Sequence, residues 1–236
     1  AEYAATMGKL GAKVGLRYEY TWENVKFIVG PGANFKKHYG NLVPSASLTY
    51  NLSAGMNLGV NYSMRISRPG ISYLNPYHDI SNPTADSYGN PDLQVEKSHN
   101  IKVVFNSFTP KFMINVTLGE NFANNQIEQY SFMHGSILNT TYGNIVKSRW
   151  TNFSSFMNYA VTNKTRLMLT ANVDYGDIRS EQLNAHNYGW QATTFLGVQQ
   201  TFPWDLKWSM FVGGMTKKYS LQGYNGGVNM FNTTLS

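Results

Sequence analysis

The 236-residue sequence has no cysteine, which excludes a disulfide framework and thiolate metal sites. Charge is scarce too: 14% of the residues are Asp, Glu, Lys or Arg, against roughly 25% in an ordinary soluble domain. No run approaches the roughly 18 consecutive apolar residues that a membrane helix needs, which excludes helical spanning but not spanning by strands. Ala1 starts inside ordinary sequence with no basic-then-apolar leader, so a mature chain or a piece of a longer one is expected. No P-loop, HExxH or GxSxG is present. The five histidines (His38, His78, His99, His134, His186) are far apart and lack ligand spacing. Asp174, Asp177 and Glu181 cluster without the spacing of a calcium loop. Neither a metal, a cofactor nor an enzymatic activity is expected. The formal charge of +6 is scattered over residues such as Lys9, Lys13, Arg17, Lys36, Lys37 and Lys102. Such scatter argues against a nucleic-acid groove and only weakly for an anionic ligand or lipid.

What the sequence does have is alternation. In "LGAKVGLRYEYTW", residues 10–22, Leu10, Ala12, Val14, Leu16, Tyr18, Tyr20 and Trp22 share one strand face, and Lys13, Arg17, Glu19 and Thr21 lie on the other. The pattern recurs at 42–52, 56–66, 112–118, 167–175 and 188–202, and less strictly at 99–107, 145–161, 206–214 and 226–235. That predicts about ten strands and no helix.

The connections sort by length. Short turns are expected at 53–55, 109–110, 162–164 and 203–205, and long Gly/Asn/Pro-rich links near 24–40, 68–96, 123–142, 177–187 and 216–225. About ten residues per strand at roughly 3.3 Å each, tilted about 45°, rise through the apolar band of an outer-membrane barrel. Aromatics gather at strand ends: Tyr18, Tyr20, Trp22, Tyr188 and Trp190 near long links, and Phe202, Trp204 and Trp208 near a short turn. Alternation alone also describes a β-sandwich with one wet face. Loop sorting, strand length and two aromatic girdles together favour an all-β, antiparallel transmembrane barrel with short periplasmic turns and long extracellular loops. On this reading Lys13, Arg17, Glu19, Asn57, Asn61, Arg65, Asn172 and Asp174 face the lumen. Val14, Leu16, Leu58, Val60 and Leu169 face lipid.

One link is unlike the others: "RISRPGISYLNPYHDISNPTADSYGNPDLQVEKSHN", residues 65–100. Pro69, Pro76, Pro83 and Pro91 break any regular element, and Asn-Pro recurs at 75–76, 82–83 and 90–91. Each proline fixes its own φ and biases the preceding residue towards extended geometry, so a compact, rigid link over 68–96 is expected. Two roles are open for it: bracing the flanking strands, or presenting Tyr73, Tyr77 and Tyr88, with Arg65 and Arg68, to a ligand.

The stretch resembles the barrel portion of TonB-dependent outer-membrane receptors of the Bacteroidetes type, in which an "SRP…LNP…NP…GNP.L.PE.SHN" signature lies between two barrel strands. The matching residues are Ser67, Arg68, Pro69, Leu74, Asn75, Pro76, Asn82, Pro83, Gly89, Asn90, Pro91, Leu93, Glu96, Ser98, His99 and Asn100, and Val95 stands where the family usually has Pro. The resemblance implies a bacterial outer-membrane location and import of a scarce nutrient. The partners it implies are membrane lipid, an unknown nutrient ligand, TonB acting through a plug domain outside this chain, and a surface lipoprotein. It implies a structural role for the motif, with His99 making a hydrogen bond. Such receptors have about 22 strands, so residues 1–236 are expected to be part of one larger barrel domain. The edges at 10–22 and 226–235 must then pair with strands outside this chain, or with each other, since unpaired edges are not tolerated in lipid. A passive porin or a structural barrel, or less readily a soluble β-sandwich binding module, is the alternative.

Overall fold

The computed structural model describes residues 1–28 and 34–236, so residues 29–33 of the expected 24–40 link lie outside the described residues. The strands are β1 (Glu2–Met7), β2 (Leu10–Val25), β3 (Phe35–Ser53), β4 (Met56–Ser67), β5 (Ala85–Ser87), β6 (Glu96–Phe108) and β7 (Phe112–His134). They continue with β8 (Ile137–Ala160), β9 (Thr165–Ser180), β10 (Ala185–Thr201), β11 (Lys207–Met215), β12 (Lys218–Ser220), β13 (Gly223–Asn225) and β14 (Val228–Leu235). One helical turn, α1 (Ile71–Leu74), lies in the long link, and a 3₁₀ turn spans Pro203–Asp205. Among the described residues no helix is long and apolar enough to cross a membrane, which says nothing about strands.

The long strands form one antiparallel sheet in the order β1-β2-β3-β4-β6-β7-β8-β9-β10-β11-β14, so each strand pairs with its neighbours in the chain. Register converts the local alternation into two chemically distinct faces. Lys13, Ser47, Asn61, Lys102, Gly119, Asn152, Asp174 and Gln191 stand opposite one another across successive strands. The neighbouring rung, on the opposite face, is Ala12, Leu48, Val60, Val103, Leu118, Phe153, Val173 and Ala192. A slip of one residue in any strand would place a polar group among the apolar ones, so the pattern fixes register as well as fold. Among the described residues nothing covers the apolar face: Val14 is 54% exposed, Leu16 50% and Val60 44%.

The expected short turns are all present. At the β3–β4 turn Gly55 adopts φ +80°, which a side chain would strain. Three expectations are corrected. The long link read at 177–187 is a short turn over 181–184, because β9 runs to Ser180 and β10 starts at Ala185. The segment 123–142, read as a loop, is mostly strand: β7 and β8 run on as a long hairpin that closes at Gly135. Both faces of this extension mix polar and apolar residues, and bulges between Ala123 and Gln126 and between Gln126 and Ile127 reset its parity, so the alternation fades. The strand at 10–22 is also not the bare edge expected, because the short β1 covers Leu10–Gly15. Among the described residues the outer sides of β1 and β14 carry no partner strand, and the sheet is not closed.

Candidate functional site

The long link folds onto the polar face. At its start, Arg68 donates from Nη2 to Glu19 Oε2 at 2.6 Å and from Nε to Thr21 Oγ1 at 2.6 Å, which ties it to β2. Near its end, Lys37 Nζ donates to Pro91 O (2.7 Å) and Tyr39 Oη to Leu93 O (3.4 Å), both from β3. Between these anchors the chain crosses to β8. Because β7 occupies one edge of β8, the parallel pairing of β5 with Leu138–Thr140 uses the other, above the level where β9 begins to pair. The link therefore reaches from β2 and β3, past β6 and β7, to the far edge of β8.

Its internal order comes from the repeated Asn-Pro pairs. Asn75 Oδ1 accepts from Tyr77 N (3.1 Å), Asn82 Oδ1 from Thr84 N (3.1 Å) and Asn90 Oδ1 from Asp92 N (2.9 Å). Each asparagine thus closes an Asx turn over a proline that has no N–H of its own to satisfy. Asn82 also accepts from Thr84 Oγ1 (2.9 Å), and Asp79 Oδ1 accepts from both the backbone N–H and the hydroxyl of Ser81. Those two bonds hold the Asp79 carboxyl below the usual carboxylate range, against a smaller opposing effect of desolvation. Asn90 bridges outwards as well, its amide donating to Tyr142 O at 2.9 Å. Gly89 is held by Gly89 N to Asn75 O (2.8 Å) and by its neighbour Asn90 N to Tyr73 O (2.6 Å). A Cβ there would stand 2.6 Å from the carbonyl oxygens of both Asn75 and Tyr73, so close backbone approach requires glycine. Leu74 and Leu93, 0% and 1% exposed, are the link's small core, with Pro69 and Val95 also buried.

The last part of the link is clamped by asparagines that sequence reasoning did not single out. Asn144 on β8 donates to Gln94 O (3.0 Å) and accepts from Gln94 N (2.8 Å). Asn125, in the β7 bulge, accepts from Lys97 N (3.0 Å) and donates to Val95 O (2.7 Å). Glu96 Oε1 accepts from Ile127 N at 2.7 Å. Side-chain amides here replace the ladder bonds that the bulge removes. The only sequence signal was the asparagine density of "GENFANNQ", while Asn144 stands alone in "TYGNIV".

The proposed ligand residues are only partly brought together. Tyr77 and Tyr88 line a cleft of about 270 Å³ with Ser72, Asn75, Asp79, Gln129, Thr140 and Tyr142. Tyr73 stacks on Tyr142 with ring centroids 4.4 Å apart, and burial, then the neighbouring Tyr73, raises the Tyr142 phenol. His78 stacks on Tyr88 (4.2 Å), and its Nδ1 lies 2.7 Å from Asp86 Oδ2. Arg65 stands apart, opposite Ser98 on the polar face, and Arg68 is engaged by Glu19 and Thr21. Ser98 pairs onward with Ala123, and Asn100 lines an inner-wall hollow with Lys102, Asn152 and Asp174. His99 lies on the apolar face between the rings of Tyr62 and Phe122, with its Nδ1 2.9 Å from Tyr62 Oη. Tyr39 is buried beneath the link, which with Glu23 nearby pushes its phenol up to about 12. The inner wall below is lined by connected amides: Asn115 donates to Asn106 (2.5 Å), Asn106 to Asn57 (2.9 Å), and Asn152 and Gln191 to Asp174.

A model of an outer membrane protein beta-barrel family matches residues 1–236. No curated protein matches the chain. Among solved structures, the chain is similar to the copper transporter OprC, at 12% identity and a TM-score of 0.69 over 98% of this chain and 39% of that one. It is similar to the ferric enterobactin receptor PfeA of Pseudomonas aeruginosa, at 14% identity and a TM-score of 0.64 over 96% of this chain and 35% of that one. It is also similar to the siderophore receptor PirA of Pseudomonas aeruginosa, at 13% identity and a TM-score of 0.53 over 99% and 55% of the two chains. At such identities the likeness is one of fold. The chain spans well under two-thirds of each of these neighbours.

Proposed function

From the premise that the chain belongs to the outer membrane protein beta-barrel family, and so to the bacterial outer membrane, we propose that it is the barrel segment of a TonB-dependent receptor of the Bacteroidetes type that imports a scarce nutrient. The observation that carries this reading is the long link. It is a folded strap, closed by Asx turns at Asn75, Asn82 and Asn90, that lies across the polar face from β2 to β8. A passive pore gains nothing from a braced obstruction there. A receptor gains a preorganised wall beside its ligand, with Tyr77 and Tyr88 in an open cleft whose amides and hydroxyls suit a small polar portion of a ligand.

The lumen then lies on the Lys13–Asp174 face and lipid on the Val14–Val60 face. The open sides of β1 and β14 pair with further strands of a larger barrel, as the coverage of the structural neighbours supports. A plug domain outside this chain fills the lumen and takes the pull of TonB. The link braces the two strands it joins, and recognition by Tyr73, Tyr77 and Tyr88 is its second role.

Conductance of the full-length protein in planar bilayers tests the reading. A plugged receptor holds the current at baseline until the plug is unfolded with urea. Steady ion current without urea would make the protein a passive porin.

A further inference from the structure

On the apolar face the lipid-facing pattern ends abruptly over β7–β10. The rung Val103, Leu118, Phe153, Val173, Ala192 is followed upwards by Glu120, Thr151, Tyr175 and Trp190, and then by Phe122, Arg149, Asp177 and Tyr188. The next is wholly basic: Lys147 stands directly opposite Arg179, and Arg179 directly opposite His186. Like charges in directly opposed cross-strand positions are destabilising unless an anion lies between them. Trp190 and Tyr188 mark the level where such barrels carry their outer aromatic girdle, so these charges stand where lipid headgroups begin.

The cations are unequally engaged. Glu120 accepts from Arg149 Nε and from Thr151 Oγ1 (2.7 Å), which aims the Arg149 guanidinium outwards with 73% of its side chain exposed. Lys147 Nζ reaches Glu181 at 2.6 Å, and His186 Nε2 lies 3.4 Å from Asp177 Oδ1. The Arg179 guanidinium forms no ion pair among the described residues, although, after the bond and charge of Lys147, its charge helps to lower the Glu181 carboxyl. A groove of about 590 Å³ runs between these groups, with Ile101 and Phe122 as its apolar side. These strands lie in the middle of the sheet, so strands added at β1 or β14 leave this outward face uncovered.

We propose that the groove binds the phosphorylated headgroup of an outer-leaflet glycolipid. Arg149, Arg179 and Lys147 take the phosphate, Glu120 and Asp177 accept from sugar hydroxyls, and the first acyl carbons lie on Ile101 and Phe122. Planar guanidinium pairs match phosphate oxygens in bidentate fashion, and the like-charge rung is relieved when an anion enters.

The test titrates the full-length protein in detergent micelles with lipid A and with the same lipid after its phosphates are removed. Retained lipid is counted by native mass spectrometry. Lipid A is expected to bind about tenfold or more tightly than its dephosphorylated form, and the K147Q/R179Q variant is expected to lose a similar factor. R179Q alone, which removes an exposed guanidinium that forms no ion pair among the described residues, serves where the double variant loses its heat-modifiable gel mobility, and a loss of about threefold is expected of it. Equal binding of the two lipids, equal binding by wild type and R179Q, or displacement of lipid A by equimolar inorganic phosphate would each overturn the assignment.

Discussion

The lower sheet and the strap above it are held by opposite means. In the lower sheet every strand pairs with its sequence neighbour, and one face is apolar from Ala12 to Ala192 while the other is polar from Lys13 to Gln191. Its order is set by side-chain parity against two solvents, lipid and water. Above the membrane both solvents are water, and the strap and the β7–β8 extension are held by backbone groups bonded to asparagine side chains at 75, 82, 90, 125 and 144. The sheet therefore fails when polarity changes on one face, and the strap fails when a specific amide or a close approach is lost.

The largest effect is expected from breaking the face rule. Val60→Arg, near the middle of the lipid face, should cost about 2–4 kcal/mol of barrel stability in lipid vesicles, measured by denaturant titration, whereas Asn61→Arg on the lumen wall should cost far less. Equal costs would erase the distinction between the faces. Cysteines placed at the same two positions sharpen it, because a water-soluble reagent should label only the lumen site in intact membranes.

Next comes the close approach at Gly89. Gly89→Val forces its Cβ against the backbone of Asn75 and Tyr73, at a cost of about 1–3 kcal/mol. Limited proteolysis should then cut within 70–92 while the barrel keeps its folded gel mobility. A barrel that fails to assemble instead would make the strap a condition of assembly rather than an addition to it.

Asn90→Ala removes the Asx turn and the bond to Tyr142 O, a loss of about 1–2 kcal/mol that hydrogen exchange at Asp92 and Leu93 should register. Asn90→Asp, which keeps the turn acceptor and loses the donor, should show roughly half of it.

The smallest effect is a pH dependence. Burial, and then the nearby Glu96 charge, raise the Glu128 carboxyl above its ordinary value. A raised folded-state value means that the folded hairpin binds this proton more tightly than the unfolded chain does. The contribution is fully present below the ordinary glutamate range and is lost as pH rises through the raised value. Protection factors in β7, from which the intrinsic base-catalysed rise in exchange has been divided out, should therefore fall from mildly acidic to neutral pH, and Glu128→Gln should flatten the change.

The two regions differed equally in how far the sequence exposed them. All ten expected strands are present, because each has a greasy and a wet face and the period of two is visible in a single strand. The Asn-Pro repeats likewise announced a compact, folded link at its true position. The short β1 went unread because "EYAATM" is too brief to show a period. Residues 123–142 were misread because polar residues lie on both faces and the bulges at Ala123–Gln126 and Gln126–Ile127 shift the parity.

By itself, then, the sequence determined the strands of an antiparallel sheet and their two faces, because those depend on contrasts between residues adjacent in the chain. Only the tertiary structure decided that Arg68 is held by Glu19, that Asn125 and Asn144 clamp the end of the strap, and that Lys147 and Arg179 stand face to face. Those partners are separated by tens of residues, and a hydrogen bond or a like-charge contact exists only where folding has brought its two ends within a few ångströms.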